Sequence, residues 1–436
     1  MAWAFGWLLL VTAGFLLARR PNGTNRSRWA GFSLPLILLL AALARLLPAL
    51  WLPVGAGYDI ESYRMVTDAL LGGQEVYNAA LGRHPYLPFQ MYIMGAMAWL
   101  SAATGLPYVV AVKLPAVVAD VALTGLIYKA VIGKMAERDG HELPDYKRDG
   151  GERAAAAYLA TLYALNPISL LVTSYHGQFE AITLLLLALA WWFWQREQAS
   201  RSAGALGLAI LNKTWPVVFL PIIFIRLPGW KARVRAVAVA LGVPVLFTLA
   251  YILLFSPDVG FMLGRALTHR GVAGYWGPGA ILNPLATVQP GLQPAVDVLF
   301  ALRNGLLAAA ALFALWWTRR QSALDAFLTL LLSLFVVTVG FGIQWLVWVV
   351  PFALLAGEDR WLKAYSLAGA FMLAVHLFGL HMIPLLSEWL PAAADWTLRL
   401  SGLPAWAIVV AWMIHRCRTV TVAAAPAHPR PDPLAH

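Results

Sequence analysis

Asp59 and Glu61 share the segment Gly57-Tyr-Asp-Ile-Glu-Ser-Tyr-Arg64, and Tyr77 and then Arg83-His-Pro-Tyr-Leu-Pro88 follow it. Only 12% of the chain is charged, so this polar density between long apolar runs marks a place for chemistry. Further groups stand in Ser174-Tyr-His-Gly-Gln-Phe-Glu180, at Lys213, in the stretch from Arg265 through His269 and Arg270 to Trp276, and at Gln344. Carboxylates facing cations beside a membrane suit the transfer of a group from a lipid phosphate. A carboxylate takes the proton of an acceptor hydroxyl, and Arg, His or Lys stabilises the departing phosphate. Such chemistry requires no soluble nucleotide sugar.

Each residue also has a plainer reading. Asp59 after Gly-Tyr at a helix head is what an N-cap looks like. Glu61 and Arg64, one helical turn apart, form a surface pair. His176 and Gln178 fit interfacial positions, and Arg265, His269 and Arg270 fit a solvated cluster. Lys213 is harder to set aside, because a lysine at membrane depth is expensive unless paired. Asp120 sits mid-span with Lys113 or Arg45 as partner, and His376 and His381 read as structural. The His-x-x-x-His and His-Glu spacings of zinc sites are missing, and the outer acidic pair would hold a divalent ion only with help from elsewhere. No metal ligand and no required cofactor is expected, with a divalent cation left open.

The elements that position these groups follow from composition. A chain of 436 residues, 61% hydrophobic, with mean hydropathy +0.70, is a polytopic membrane protein and not a soluble domain. The formal charge of +11 comes from Lys and Arg in short loops, which points to sidedness in a bilayer and not to nucleic acid. With loop 19–28 inside, the run 29–52 leads outward, where Arg45 can snorkel or meet a phosphate. The apolar stretch 86–104, broken by Pro85, Pro88 and Gly95, then lies in the outer interface, because a crossing there would strand the basic residues of 134–153 outside. That makes 53–106 one extracytoplasmic loop with juxtamembrane helices.

Spans follow at 107–133, 154–174 and 180–195, then two half-spans within 202–226 that meet near Asn212-Lys213-Thr-Trp-Pro216. After 234–255 comes a second outer loop, 256–296, and further spans near 297–317, 323–339, 343–356, 361–380 and 403–415. The expectation is an all-α bundle of about 12–13 transmembrane helices forming one domain over 1–420, with a disordered cytoplasmic tail at 421–436. No internal repeat is visible, which counts against the runner-up reading, a transporter or flippase for a lipid-linked sugar.

At these residues the chain resembles the GT-C superfamily of polytopic glycosyltransferases that use polyprenyl-phosphate sugars, and within it the dolichyl-phosphate-glucose glucosyltransferases of lipid-linked oligosaccharide assembly. Asp59, Glu61, Arg64, Tyr77 and His84-Pro85-Tyr86 are similar to that family's first outer-loop segment. His176-Gly177-Gln178-Phe179 resembles its His-Gly-His-Phe-Gln signature, and Arg270-Gly271 with Trp276 its Arg-Gly-and-Trp signature. Gln344-Trp-Leu-Val-Trp348, with Pro351, resembles a motif of mannosyltransferases in the same superfamily. The late Val-His-Glu-Lys motif and the second His of the second signature are absent.

The resemblance implies an inverting transfer of a hexose, glucose or mannose, from a polyprenyl-phosphate donor to a lipid-linked or glycolipid acceptor. Asp59, with Glu61 beside it, would supply the base. Arg265, His269 and Arg270, with Lys213 or Arg45, would take the donor phosphate. Arg64, His84, His176, Gln178, Trp276 and Gln344, with Trp345 and Trp348, would meet sugar or acceptor. The site would open on the extracytoplasmic face of a plasma membrane, or of the endoplasmic reticulum in a eukaryote.

Overall fold

A computed structural model describes residues 2–22, 24–51, 57–133, 151–268, 271–379 and 391–419. The chain is all-α and polytopic. Among the described residues seven helices are long and apolar enough to cross a membrane, and shorter apolar helices of 10–17 residues lie between them. The shorter apolar helices among the described residues include Glu180–Gln195, Ala323–Val337 and Ile343–Leu355.

The innermost span, Glu152–His176, is one of the seven although it is broken from within. Glu152–Ala164 is rich in alanine, which lets neighbouring helices approach closely, and its side chains from Ala154 onward are buried. Pro167 cannot continue it, and Asn166 recaps the chain by accepting from the backbone N–H groups of Ile168 and Ser169. A π-helical turn, Leu171–His176, follows and is stopped by Gly177 in the left-handed conformation at φ 83°. A side chain at Gly177 would also press on Lys113, whose Cε lies 3.3 Å from the Cβ position.

The carbonyls freed at this break are taken by Arg45. Its guanidinium donates to the Ala164 carbonyl at 2.8 Å and the Tyr163 carbonyl at 3.3 Å, the usual use of a cation at a helix C-terminus. It also pairs with Asp120 at 2.6 Å. Asp120 in turn accepts from the hydroxyls of Tyr163, Ser169 and Thr173. Arg45 and Asp120 are both fully buried. Of the two partners the sequence allows for Asp120, the fold selects Arg45. Arg45 neither snorkels nor faces a phosphate: it locks the helices Leu34–Trp51 and Leu114–Ile132 to the central span.

The same central span defines two ends. Tyr158 near its start donates to Asp359, which also pairs with Arg20, and Arg416 is held by Asp325 and by Glu358, the residue before Asp359. His176 at its finish bonds Asp59. At 1.5 Å per residue the two ends are roughly 25–30 Å apart, so the basic, ion-paired end and the Asp59 end lie on opposite sides of a bilayer-sized slab. The helices around Trp230–Phe255 and Pro290–Trp317 are only 17% and 11% buried in their apolar windows, which places them at the periphery.

Two stretches depart from the expected loops. The half-span break is present: Ala199–Asn212 ends at Lys213, whose backbone is extended, before the short helices Trp215–Phe219 and Leu220–Arg226. The segment expected as a second long outer loop is instead mostly helical, Val259–Thr268 and Gly277–Val288. Between those helices Val272 and Ala273 pair antiparallel with Phe341 and Gly340. The approach is close enough that a Cβ on Gly271 would fall 2.4 Å from the Phe341 carbonyl carbon, so the chain needs glycine there. The expected tail at 421–436, the basic loop over 134–150, His269, Arg270 and His381 lie outside the described residues.

Candidate active site

Asp59 sits in the first turn of Gly57–Leu71, where a negative charge favours the helix dipole. It is not spent as a cap. Its Oδ2 accepts from His176 Nε2 at 2.7 Å and from Gln178 Nε2 at 2.7 Å. A carboxylate can only accept, so the imidazole presents Nε2–H to it. Oδ1 has no hydrogen bond among the described residues, and the side chain keeps 30% of its exposure. Burial alone would raise the Asp59 pKa. The hydrogen bonds and positive charge of His176, the Gln178 amide and the Lys213 charge outweigh it and leave the carboxyl below its usual value.

Behind this carboxylate lies a buried polar chain. Gln178 turns its other amide end toward Lys213, 3.5 Å from Oε1 to Nζ. Lys213 donates to Glu180 Oε1 at 2.6 Å, and Glu180 Oε2 accepts from Trp348 Nε1 at 2.9 Å. The Tyr86 ring stands 4.9 Å from the Lys213 ammonium. Trp348 stacks on Trp215 at 3.8 Å and on Trp345 at 5.0 Å, making an aromatic wall beside the polar chain. Lys213 is therefore paired with Glu180 and almost without exposure. Its ammonium nevertheless lies in the same constellation.

Several predicted site residues are placed elsewhere. Glu61 pairs with Arg83 at 3.2 Å and not with Arg64, and it is two-thirds exposed. Arg64 lies over the Tyr108 ring at 5.9 Å. His84 is buried against Tyr77 and Tyr86, with ring centroids 5.5 and 5.7 Å away. Burial lowers its pKa to about 4, against a backbone hydrogen bond at Leu87 that raises it, so the imidazole is neutral core and not a sugar contact. Trp276 has no exposure, stacks on Phe341 at 4.0 Å and donates to the Phe335 carbonyl at 2.7 Å. It closes the open carbonyl end of Ala323–Val337, and Trp406 does the same at Val336. Gln344 is half-buried, with its amide folded over Gly342.

Arg265 is exposed on Val259–Thr268, and its Nε lies 3.2 Å from where a side chain on Gly82 would begin, next to Arg83. Among the described residues Arg265 has no ionic partner, which leaves it available near the Asp59 end. Among those residues also, no three His, Cys, Asp or Glu side chains gather as a metal site would require.

Glu180, Trp215 and Tyr86 carry more of the site than their sequence context indicated. One signal was present for Glu180. A lysine at depth in a chain this poor in charge needs a counterion, and Glu180 lies at the head of an apolar run that also enters that depth.

The chain matches the family described as Glycosyltransferase family 87 over residues 85–340. That range takes in His176, Gln178, Glu180, Lys213 and Arg265 and begins after Asp59. No curated protein matches the chain.

Proposed function

Because the chain belongs to glycosyltransferase family 87, a family of GT-C-like membrane glycosyltransferases, we propose that Asp59 is the base of an inverting hexosyl transfer from a polyprenyl-phosphate donor to a lipid-linked or glycolipid acceptor. The observation that carries this reading is the asymmetry of the Asp59 carboxylate. Oδ2 is fixed by His176 and Gln178, and Oδ1 is left open on a partly exposed side chain.

In the proposed step the acceptor hydroxyl oxygen attacks the anomeric carbon from the face opposite the phosphate. The bond from that carbon to the phosphate oxygen breaks, its electron pair leaves with the phosphate, and the hydroxyl proton passes to Asp59 Oδ1. A carboxylate kept ionised by its neighbours is ready for this at neutral pH. Arg265 is the described cation best placed to meet the departing charge, with His269 and Arg270 next to it in sequence. The Trp215, Trp345 and Trp348 wall supports the reading that a sugar face lies against it. The match is to family 87 and not to the glucosyltransferase group that the motifs resemble, and the Gln344 segment favours mannose as much as glucose. The outer face and a metal-free reaction belong to the same proposal.

The test is transfer of labelled sugar from polyprenyl-phosphate mannose and polyprenyl-phosphate glucose to membrane lipid extract, with and without EDTA. Wild type is expected to use one donor, within about twofold of the same rate in EDTA. Asp59→Asn, still folded, is expected to lose at least about 100-fold in kcat, the scale of a lost general base. Transfer by Asp59→Asn at the wild-type rate would sink the assignment.

A further inference from the structure

We propose that Lys213, through its ion pair with Glu180, is a positioning residue that fixes the Gln178 amide so that it donates to Asp59. This deepens the reading of Asp59 as the base and rests on it. Gln178 has one donor end and one acceptor end, and two neighbours of opposite charge stand against it. The Asp59 carboxylate takes Nε2 at 2.7 Å, and the Lys213 ammonium faces Oε1 at 3.5 Å. A flipped amide would set its carbonyl oxygen against the carboxylate and its N–H groups against the ammonium, so both neighbours select one orientation.

Lys213 cannot drift toward Asp59 to replace the amide. Its Nζ is held at 2.6 Å by Glu180, whose second oxygen is held by Trp348, and Lys213 and Glu180 are 4% and 0% exposed. The chain from Trp348 through Glu180, Lys213 and Gln178 to Asp59 therefore ties the base to the aromatic wall. Its far end is a segment, Ile343–Val347 with Trp348, that is remote in sequence.

The groups facing Asp59 come from each packed element. His176, Gln178 and Glu180 belong to the π-turn and the helix after it. Lys213 stands at the break after Ala199–Asn212, Tyr63 on Asp59's own helix, and Tyr86 in the outer segment. Only His176, Gln178 and Lys213 favour the ionised carboxylate. His176 bonds Asp59 without help from Lys213. Beyond the direct pull of its charge on the carboxylate, Lys213 therefore acts on Asp59 through the orientation of Gln178.

The experiment reads Asp59 itself. Infrared difference spectra of the full-length protein in lipid nanodiscs are recorded over a pH titration, and the Asp59→Asn spectra are subtracted to isolate the Asp59 carboxylate. The variant is Lys213→Met with Glu180→Gln, which removes both charges together and so leaves no unpaired buried ion. The glutamine oxygen can still accept from Trp348. The Asp59 midpoint is expected to rise by about one pH unit, equal to a tenfold change in proton affinity, and Gln178→Leu is expected to give the same rise. The triple variant should shift by less than the sum of the other two, because the Gln178 hydrogen bond can be lost only once. If the first pair does not fold, Lys213→Leu with Glu180→Met is held to the same outcomes.

An unmoved midpoint in a folded variant, or a triple variant whose shift is the sum of the other two, overturns the positioning role. The two readings fail separately. If Asp59→Asn transfers sugar as fast as wild type, the base assignment falls whatever the infrared midpoint does. If Asp59→Asn is inactive and the midpoint stays put, only the role of Lys213 falls.

Discussion

His84 and Asp59 stand in the same segment of the chain and are treated in opposite ways by their surroundings. Burial brings His84 down to about 4, with no charge near enough to oppose it, whereas the donors around Asp59 defeat the burial that would raise it. The consequences have opposite uses. For Asp59, the proposed base, a lowered value keeps the carboxylate ionised at neutral pH and should move the acid limb of kcat/KM below the ordinary carboxylate range.

For His84 the folded value lies below the ordinary 6.5, so the unfolded chain takes up the proton first as pH falls. Stability is then lost from about pH 6.5 down to about 4 and is level below that, by at most about 3 kcal/mol. Thermal unfolding followed from pH 7 to pH 4.5 should show this loss, and His84→Phe should flatten it. The sequence could place both residues in one outer segment. It could not tell them apart, because what separates them is who their neighbours are after folding. Trp276 was misread for a related reason. Its family-like spacing from Arg270 is real, yet the indole is used to close a helix end.

Among the elements, the interrupted central span explains the most. A helix that simply crossed would leave no carbonyls for Arg45 and no π-turn to aim His176 and Gln178 at Asp59. Pro167 and Gly177 are legible in the sequence as breakers. The consequence, that a break at depth is satisfied by an arginine from another helix, was not, because it depends on which helices become neighbours.

The Arg45–Asp120 pair should behave as a buried pair does. Asp120→Ala, which strands the guanidinium, is expected to cost about 3–5 kcal/mol, while Arg45→Met with Asp120→Leu costs much less. Detergent-resistance or thermal unfolding midpoints of the two variants will show whether the order holds. Gly271 gives a second case. Gly271→Ala drives a methyl into the Phe341 backbone and should part the short ladder, read as a lowered unfolding midpoint together with altered Trp276 fluorescence.

For the whole molecule, the alternation of basic loops and apolar runs was enough to find an all-α membrane chain and the half-span break at Lys213. It made a loop of what is helical over Val259–Thr268 and Gly277–Val288. Positive-inside reasoning counts charges and cannot see that short helices pack on one another. It does make a sided statement: Arg20, Asp359 and Arg416 mark the inner end and Asp59 the outer. In a Cys417→Ser background, Asn78→Cys, at an exposed position, should react with a membrane-impermeant maleimide added to intact cells. The native Cys417 near Arg416 should react only after the cells are opened. The reverse pattern would invert the topology.

One consequence of the nearly enclosed central span concerns the lipid around it. The rod that carries His176 has almost no face toward the acyl chains, whereas Trp230–Phe255 and Pro290–Trp317 lie largely against them. Thinning or thickening the bilayer should therefore strain and tilt the outer helices and spare the contact between His176 and Asp59. The protein would then tolerate membranes of different thickness as a wheel tolerates a worn rim, with the hub that carries His176 left true.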